Sequence, residues 1–429
     1  MSSTLRLFWE AAGGNVPEHW EFKTIDELLE HPKAISVGVM YPGSDSDGGV
    51  PLIKVSDVKS GAIASRPSFC ISNKVDEEYK RTRLNGSELL LTLVGNPGDC
   101  VIVTDEMCGW NVARALAVIR LKDTQLRSWI RYVLASKPAQ HLIEARLNTT
   151  VQKTLNLKDV REIGIPIPPK EERDSITKTI DSIEKKTLIN TQINQTLESI
   201  AQAIFKSWFI DFEPVRAKII AKQEGKDTEL AAMCAISGKS EVELQQMAED
   251  DLAELRATAS LFPDELVESE LGEVPRGWEV TRFSNIVEKY IDNRGKTPPI
   301  QSEGIPLLEV KHLPEFSLNP DLNTDKKVSL ETFNTWFRAH LQENDLIMST
   351  VGTIGRLCIV PANRTLAIAQ NILGLRFKLN KVTPLFMYYQ MNSAKFRNDV
   401  DARLVITVQS SIKRKDLETI DLLQPDINI

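Results

Sequence analysis

Apolar positions along this chain follow two different periods. Glu88-Leu89-Leu90-Leu91-Thr92-Leu93-Val94 is a nearly continuous apolar run. A turn at 95–98 and then Cys100-Val101-Ile102-Val103 follow, which predicts strand, turn, strand. Glycines at 95 and 98 suit backbone positions with positive φ. Residues 128–145 place Trp129, Tyr132, Val133, His141 and Leu142 at roughly helical spacing and predict one helix. After the stop Ile165-Pro166-Ile167-Pro168-Pro169, the period changes. Ile176, Ile180 and Ile183, then Ile193, Leu197, Ile200, Ile204 and Trp208, recur in steps of three and four, the seam of a coiled coil. No Gly or Pro interrupts 170–209, so one helix of about 60 Å is expected at 1.5 Å per residue. Thr187, Asn190 and Asn194 interrupt the stripe, either fixing the register of a buried seam or marking a solvated stretch. A stripe this long needs a partner helix. Glu213-Pro214 ends the helix, and residues 229–259 predict a second, more acidic helical stretch.

The pattern also repeats. Val16-Pro17-x-x-Trp20-Glu21 returns as Val274-Pro275-x-x-Trp278-Glu279, an offset of 258. Gly49-Val50-Pro51-Leu52 returns as Gly304-Ile305-Pro306-Leu307 at 255, and Val94-Gly95-x-x-Gly98 as Val351-Gly352-x-x-Gly355 at 257. Glu144-Ala145-Arg146-Leu147 matches Asp401-Ala402-Arg403-Leu404, Thr150-Val151-Gln152 matches Thr407-Val408-Gln409, and Lys158-Asp159 matches Lys415-Asp416, all at 257. Matches in one order at nearly one spacing mean duplication, and the period is far too long for a solenoid. Each copy is a whole domain. The copies diverge at 41–47 against 294–299 and at 65–85 against 320–341, where loops belong. A kept scaffold with changed loops fits two related tasks on different targets. The fold class expected is α+β: two homologous mixed α/β domains, 1–169 and 273–429, separated by a long coiled-coil-type helix at 170–212 and an acidic helical connector at 213–272.

Composition refines this picture. With 429 residues, 42% apolar and 26% charged, the chain has the balance of an ordinary globular protein of two or three domains. The net charge of −7 speaks superficially against a polyanionic partner. Residues 211–272, however, hold 15 acidic and 6 basic side chains, so the remainder stands near +2. No apolar run approaches the roughly 20 residues that span a bilayer, and the start MSSTLRLFWEAAGGN lacks signal-peptide character. A cytoplasmic location is expected. The five cysteines form no CxxC pair and are expected to be small buried thiols; no metal site is expected. The five histidines are isolated, and a surface or capped core role is expected for each. The aromatic segment 201–212, with Phe205, Trp208, Phe209 and Phe212, either packs on the following domain or docks another subunit.

Motifs of catalysis are missing. There is no Asp/Asn-Pro-Pro-Tyr/Phe, no glycine-rich S-adenosylmethionine loop, no GxSxG and no HExxH. Gly238-Lys239-Ser240 has Met233 where a phosphate-binding loop needs its leading glycine, and reads as a helix start. Pro263-Asp264-Glu265 lacks the strand and downstream lysine of a restriction nuclease site. A non-catalytic role is expected.

In order, the elements are Trp20 and Trp278 opening two domains, Thr150-Val151-Gln152…Lys158-Asp159-Val160…Ile165-Pro166 closing the first, and Glu171-Glu172-Arg173 starting a long helix. Together with residues 345–355 and Ala369-Gln370-Asn371-Ile372, this arrangement resembles the specificity subunits of type I restriction–modification enzymes. The resemblance covers nearly the whole chain. It implies that each domain reads one half of a split double-stranded DNA target, while the helix sets the gap. It also implies that the helix recruits methyltransferase subunits, and that motor–nuclease subunits join for cleavage. S-adenosylmethionine, ATP and magnesium would serve those partners, and none would be bound by this chain. Candidate DNA contacts are Lys54, Lys80, Arg81, Arg83, Arg146, Gln152, Arg294, Lys296, Lys311, Arg403 and Gln409, with Arg146 and Arg403 equally able to pair internally with Glu144 or Asp401. Candidate subunit contacts are Ile176, Ile180, Ile183, Ile193, Leu197, Ile200, Ile204, Phe205, Trp208 and Phe209. One departure stands out: the family's second conserved helix has no counterpart after Pro425, which aligns with Pro168 at the 257 offset. Either the chain is a truncated form or another chain covers the stripe Ile176–Trp208, and self-association or obligate complex formation is expected. The alternatives are a stand-alone two-domain DNA-binding regulator and a protein-bridging scaffold.

Overall fold

Side chains of the central strands in each domain point alternately into two separate cores, and this alternation organises the fold. The computed structural model describes residues 2–429 except 60, 64, 148–152, 294, 316, 406–409 and 428. The chain forms two compact units, Met1–Thr187 and Leu188–Ile429.

In the first unit, a four-stranded antiparallel sheet runs in the order Ile35–Val37, Leu116–Ile119, Leu89–Thr92, Cys100–Ile102. Leu89, Leu91, Ala117 and Ile119 enter a core shared with Trp129, Ile130, Val133 and Ile143 of two helices. Leu90, Val101, Leu116 and Val118 enter a second core with Ile53, Leu84, Met107 and Val112. A sheet dry on both faces explains why the sequence shows an unbroken apolar run. A smaller sheet pairs Val50–Ile53 antiparallel with Cys70–Ile71 and parallel with Asn111–Val112. Strand Glu21–Thr24 pairs with Gly164–Ile167, joining the two ends of the domain.

The second unit repeats every one of these pairings. Its four-stranded sheet runs Val287–Asp292, Ile372–Phe377, Leu346–Ser349, Leu357–Ile359. Leu346 and Met348 enter a core with Met387, Tyr388 and Phe396, whereas Ile347 enters the opposite one. Ile305–Leu308 pairs antiparallel with Lys327–Val328 and parallel with Ala367–Ile368, and Glu279–Arg282 closes on Asp421–Gln424. The duplication is thus a duplication of register. The turn motif is shared to the atom: the Thr92 hydroxyl donates to the Asn96 carbonyl and accepts from the Asp99 amide, as the Ser349 hydroxyl does with Thr353 and Arg356. Gly95 and Gly98, with φ of 83° and 105°, supply the positive φ that these turns require.

One buried ion pair recurs in both domains. Glu88 is fully buried, accepts from the Asn85 and Ser87 amides and pairs with Arg120 at 2.9 Å. Asp345 repeats this with the Gln342 amide and Arg376, at 2.7 and 2.8 Å. Burial in a low-dielectric setting makes such carboxylates dependent on their partners.

Several expectations are corrected. The helix expected at 128–145 is two, Arg127–Ala135 and Lys137–Glu144, because Ser136 takes an extended conformation and Pro138 lies in the first turn of the second. In the second domain, Pro384–Asn392 and Ala394–Asp401 break likewise at Ser393, whose hydroxyl caps the Phe396 amide. The acidic stretch 229–259 is three helices, Thr228–Ser237, Glu241–Leu244 and Glu249–Ser260. Gly238 ends the first with φ of 67°, and Ser240 starts the next with a capping box. Cys100 and Cys358 are buried thiols that burial pushes up to about 12, but Cys108 is exposed and Cys70 and Cys234 are only half-buried.

The long helix, Lys170–Phe209, is as expected. Thr179, Ser182, Thr187, Thr196 and Ser199 each return a hydroxyl to the carbonyl four residues back, and Thr187, Asn190 and Asn194, which break the apolar stripe, are all exposed. Phe212, at a left-handed φ of 56°, ends it before Pro214. No described helix is long and apolar enough to cross a membrane.

Replacing Asp345 or Glu88 by Ala leaves a guanidinium without its partner and strands the amides that the carboxylate had accepted. Each is expected to lower stability by about 3 kcal/mol, read as a shifted urea midpoint. A loss below ~1 kcal/mol would show that solvent replaces the pair.

Candidate nucleic-acid interface

A side chain free to meet DNA must be exposed and not already committed within the protein. Several candidates fail that condition. Arg83 pairs with buried Asp76 and, at 3.2 Å, with Glu77, and hydrogen bonds to these carboxylates hold it above its ordinary pKa. Asp76 in turn accepts from Asn111 Nδ2 at 2.9 Å, so Arg83 serves a buried network. Arg146 and Arg403 pair with neither Glu144 nor Asp401. Each guanidinium donates to the carbonyl four residues back, Leu142 and Asp399, at 2.8 and 2.7 Å, closing its own helix end. Lys80 pairs with Glu77 at 3.0 Å. The Lys54 ammonium sits 3.5 Å from the centre of the Phe69 ring. Lys311 lies 3.4 Å from Glu309, whose stronger partner, Lys326 at 2.6 Å, depresses its carboxyl by hydrogen bonding. Arg81 and Lys296 are exposed and have no side-chain partner among the described residues. Gln152, Gln409 and Arg294 lie outside the described residues, as do both copies of the Thr-Val-Gln motif.

The two sheets of each domain meet at a short turn, of which sequence reading singled out the second copy, Ala369–Ile372, but not its counterpart in the first domain. In the first domain it is Ala113–Leu116 and in the second Ala369–Ile372, closed by backbone bonds of 3.0 and 3.1 Å. The carbonyl just before this turn receives different donors. Val112 accepts from the Val39 backbone amide at 2.7 Å, whereas Ile368 accepts from the Asn293 side-chain amide at 3.4 Å. The divergent loop therefore leaves along different paths. In the second domain it helps to enclose a cavity of about 320 Å³ lined by Thr297, Pro298, Glu309, Lys311, Lys326 and Gln370. The signal was present in the sequence as Ala-Arg-Ala-Leu against Ala-Gln-Asn-Ile at an offset of 256, too unlike to register as a repeat.

The candidate subunit contacts divide by burial. Ile176 and Ile180 are half-buried, and Ile176 packs on the core of the first domain. There the helix is tied by Arg131, bidentate to Glu184 at 2.8 and 2.9 Å, and by the Tyr132 hydroxyl donating to Asp181 at 2.5 Å. Phe205 is buried against Phe209, Phe386 and Tyr389, with Trp208 and Phe209 half-buried around Trp278 and Phe262, so the aromatic segment packs on the second domain. Ile183, Ile193, Leu197, Ile200 and Ile204 remain 42–61% exposed, an apolar stripe facing no described residue closely enough to be covered.

Residues 17–199 match the family model described as type I restriction modification DNA specificity domain. A relative from Haemophilus influenzae, the type I restriction enzyme HindI specificity subunit, is 35% identical over 50% of this chain and 49% of its own length. The Escherichia coli EcoBI specificity subunit is 29% identical over 44% of this chain and 42% of its own length. The chain thus spans about half the length of these two relatives. A putative type I restriction enzyme MjaX specificity subunit of Methanocaldococcus jannaschii aligns over 96% of this chain and 85% of its own length at 22% identity.

Arg81→Ala and Arg83→Ala, changes of equal charge two positions apart, are expected to separate binding from folding. Arg83→Ala should cost about 2 kcal/mol of stability by stranding Asp76. Arg81→Ala should leave the melting curve unchanged, weaken binding to all duplexes evenly and reduce the salt slope by about 1.

Proposed function

We infer, from the match of residues 17–199 to the family model of type I restriction modification DNA specificity domains, that this chain is the sequence-reading, non-catalytic subunit of such a system. The observation that carries this reading is the second domain. It repeats the strand order, pairing register and buried ion pair of the first while presenting different loops. Two readers on one scaffold with unlike loops are suited to a target in two unlike halves. Each domain would hold its half by Lys and Arg on phosphates and read it by side chains at base edges. The helix Lys170–Phe209 would fix the separation of the halves.

The partners are methyltransferase subunits and, for cleavage, motor–nuclease subunits. S-adenosylmethionine, ATP and magnesium belong in this reading to those partners. In this reading the work is cytoplasmic, on double-stranded DNA. The exposed stripe Ile183–Ile204 of the long helix favours a helical partner in the assembled state, because some five large apolar side chains in water are costly to leave open.

Two outcomes test the reading. Sequencing of methylated bases in cells with and without this gene should reveal a two-part motif that disappears with the gene. A motif that persists unchanged would assign the specificity elsewhere. The purified chain alone should self-associate in light scattering, and Leu197→Glu with Ile193→Glu should reduce that association at least tenfold in midpoint concentration; a monodisperse monomeric wild-type chain would show that the stripe needs no partner.

A further inference from the structure

The turn that joins the two sheets offers one side chain per domain to a ligand. In the first domain, the Ala113 amide donates to the Ile53 carbonyl at 2.8 Å, the Leu116 amide to Ala113 at 3.0 Å, and the Ala115 carbonyl accepts from Leu93 at 2.8 Å. In the second, Ala369 donates to Leu308 at 2.8 Å, Ile372 to Ala369 at 3.1 Å, and Asn371 accepts from Thr350 at 2.8 Å. Three equivalent bonds hold two equivalent backbones, so the residue between them is presented at one place in both domains. That residue is Arg114 in the first and Gln370 in the second. Both are exposed, and neither side chain has a hydrogen-bond or ion-pair partner among the described residues.

This combination separates the position from the other candidates. Lys158 and Lys415 are identical, so they carry no difference between two targets. Arg146 and Arg403 are committed to their own helices. At the turn, by contrast, the frame is fixed and the chemistry changes. The surroundings change with it: Lys54 stands where the second domain has Glu309, each at the start of the same short turn. The loops with the least likeness leave from alongside, at Val39 and Asn293. An arginine fork matches the O6 and N7 acceptors of guanine, and a glutamine amide matches the N6 donor and N7 acceptor of adenine in the major groove. A rigid backbone carrying an uncommitted side chain is the geometry base reading requires.

We propose that Arg114 and Gln370 are equivalent specificity-determining residues, Arg114 reading a guanine in one half of the target and Gln370 an adenine in the other. The assignment rests on the functional reading above and deepens it. Its test uses the full chain assembled with its methyltransferase partner, with methylated-base sequencing as the readout. Arg114→Ala should relax one guanine position in one half-site by on the order of tenfold and leave the other half unchanged. Gln370→Ala should relax one adenine position in the opposite half, and Gln370→Arg should move that preference toward guanine. Arg114→Lys keeps the charge but loses the fork, and should follow the alanine variant in preference. Unchanged preferences in the variants, or an even loss of methylation across all sites, would overturn the assignment while the wild-type two-part motif stood. Absence of any two-part motif in wild-type cells would instead remove the functional reading itself.

Discussion

A sheet that is dry on both faces leaves almost no room for polar groups, and the rest of each domain is arranged around that constraint. Leu89, Leu90 and Leu91 are consecutive and all buried, because successive side chains serve opposite cores. Where a charged residue must begin the central strand, it is neutralised on the spot: Glu88 by Arg120, Asp345 by Arg376. Each pair bridges neighbouring strands and also gathers the amides of the preceding loop. Loop and sheet are therefore coupled at one carboxylate. The helices on one face and the smaller sheet on the other can then be placed with little further polar cost.

The same constraint separates scaffold from surface. The core-facing register is kept across the duplication, while the residues outside it have drifted until only short matches remain, such as the opening tryptophans, Ala145-Arg146-Leu147 with Ala402-Arg403-Leu404, and Lys158-Asp159 with Lys415-Asp416. Even the tryptophans now have different company. Trp20 donates its indole N–H to Glu172 at 3.2 Å, whereas the buried indole N–H of Trp278 has no partner among the described residues and packs instead on Phe209 and Phe212. Aromatic burial, rather than that hydrogen bond, is what the two positions have in common.

Much of this organisation was legible in the sequence. The repeat, the strand–turn–strand and the long helix all come from periodicity, which packing enforces directly. The helix breaks at Ser136 and Ser393 were not legible, because a single serine between apolar positions does not disturb a helical count. The acidic stretch was read only as helical; Gly238-Lys239-Ser240 was read as a helix start, and there Gly238 ends one helix and the Ser240 capping box starts the next. The buried ion pairs escaped notice because Glu88 and Asp345 differ in length and their partners lie about thirty residues away. Among the basic candidates, type and run length said nothing of commitment. Arg81 and Arg83 look alike in sequence, and only the position of Asp76 distinguishes them. Lys54, caught over an aromatic ring, was equally unreadable.

The exchange of donors at Val112 and Ile368 has a practical meaning for protein engineering. In one domain a main-chain amide meets that oxygen, and in the other an asparagine side chain substitutes for it. A segment of new length and route can thus be grafted at this junction without orphaning a buried carbonyl, provided that the incoming chain brings one N–H to the same spot. The junction behaves as a socket with a single compulsory pin, and design of altered loops can begin from that rule.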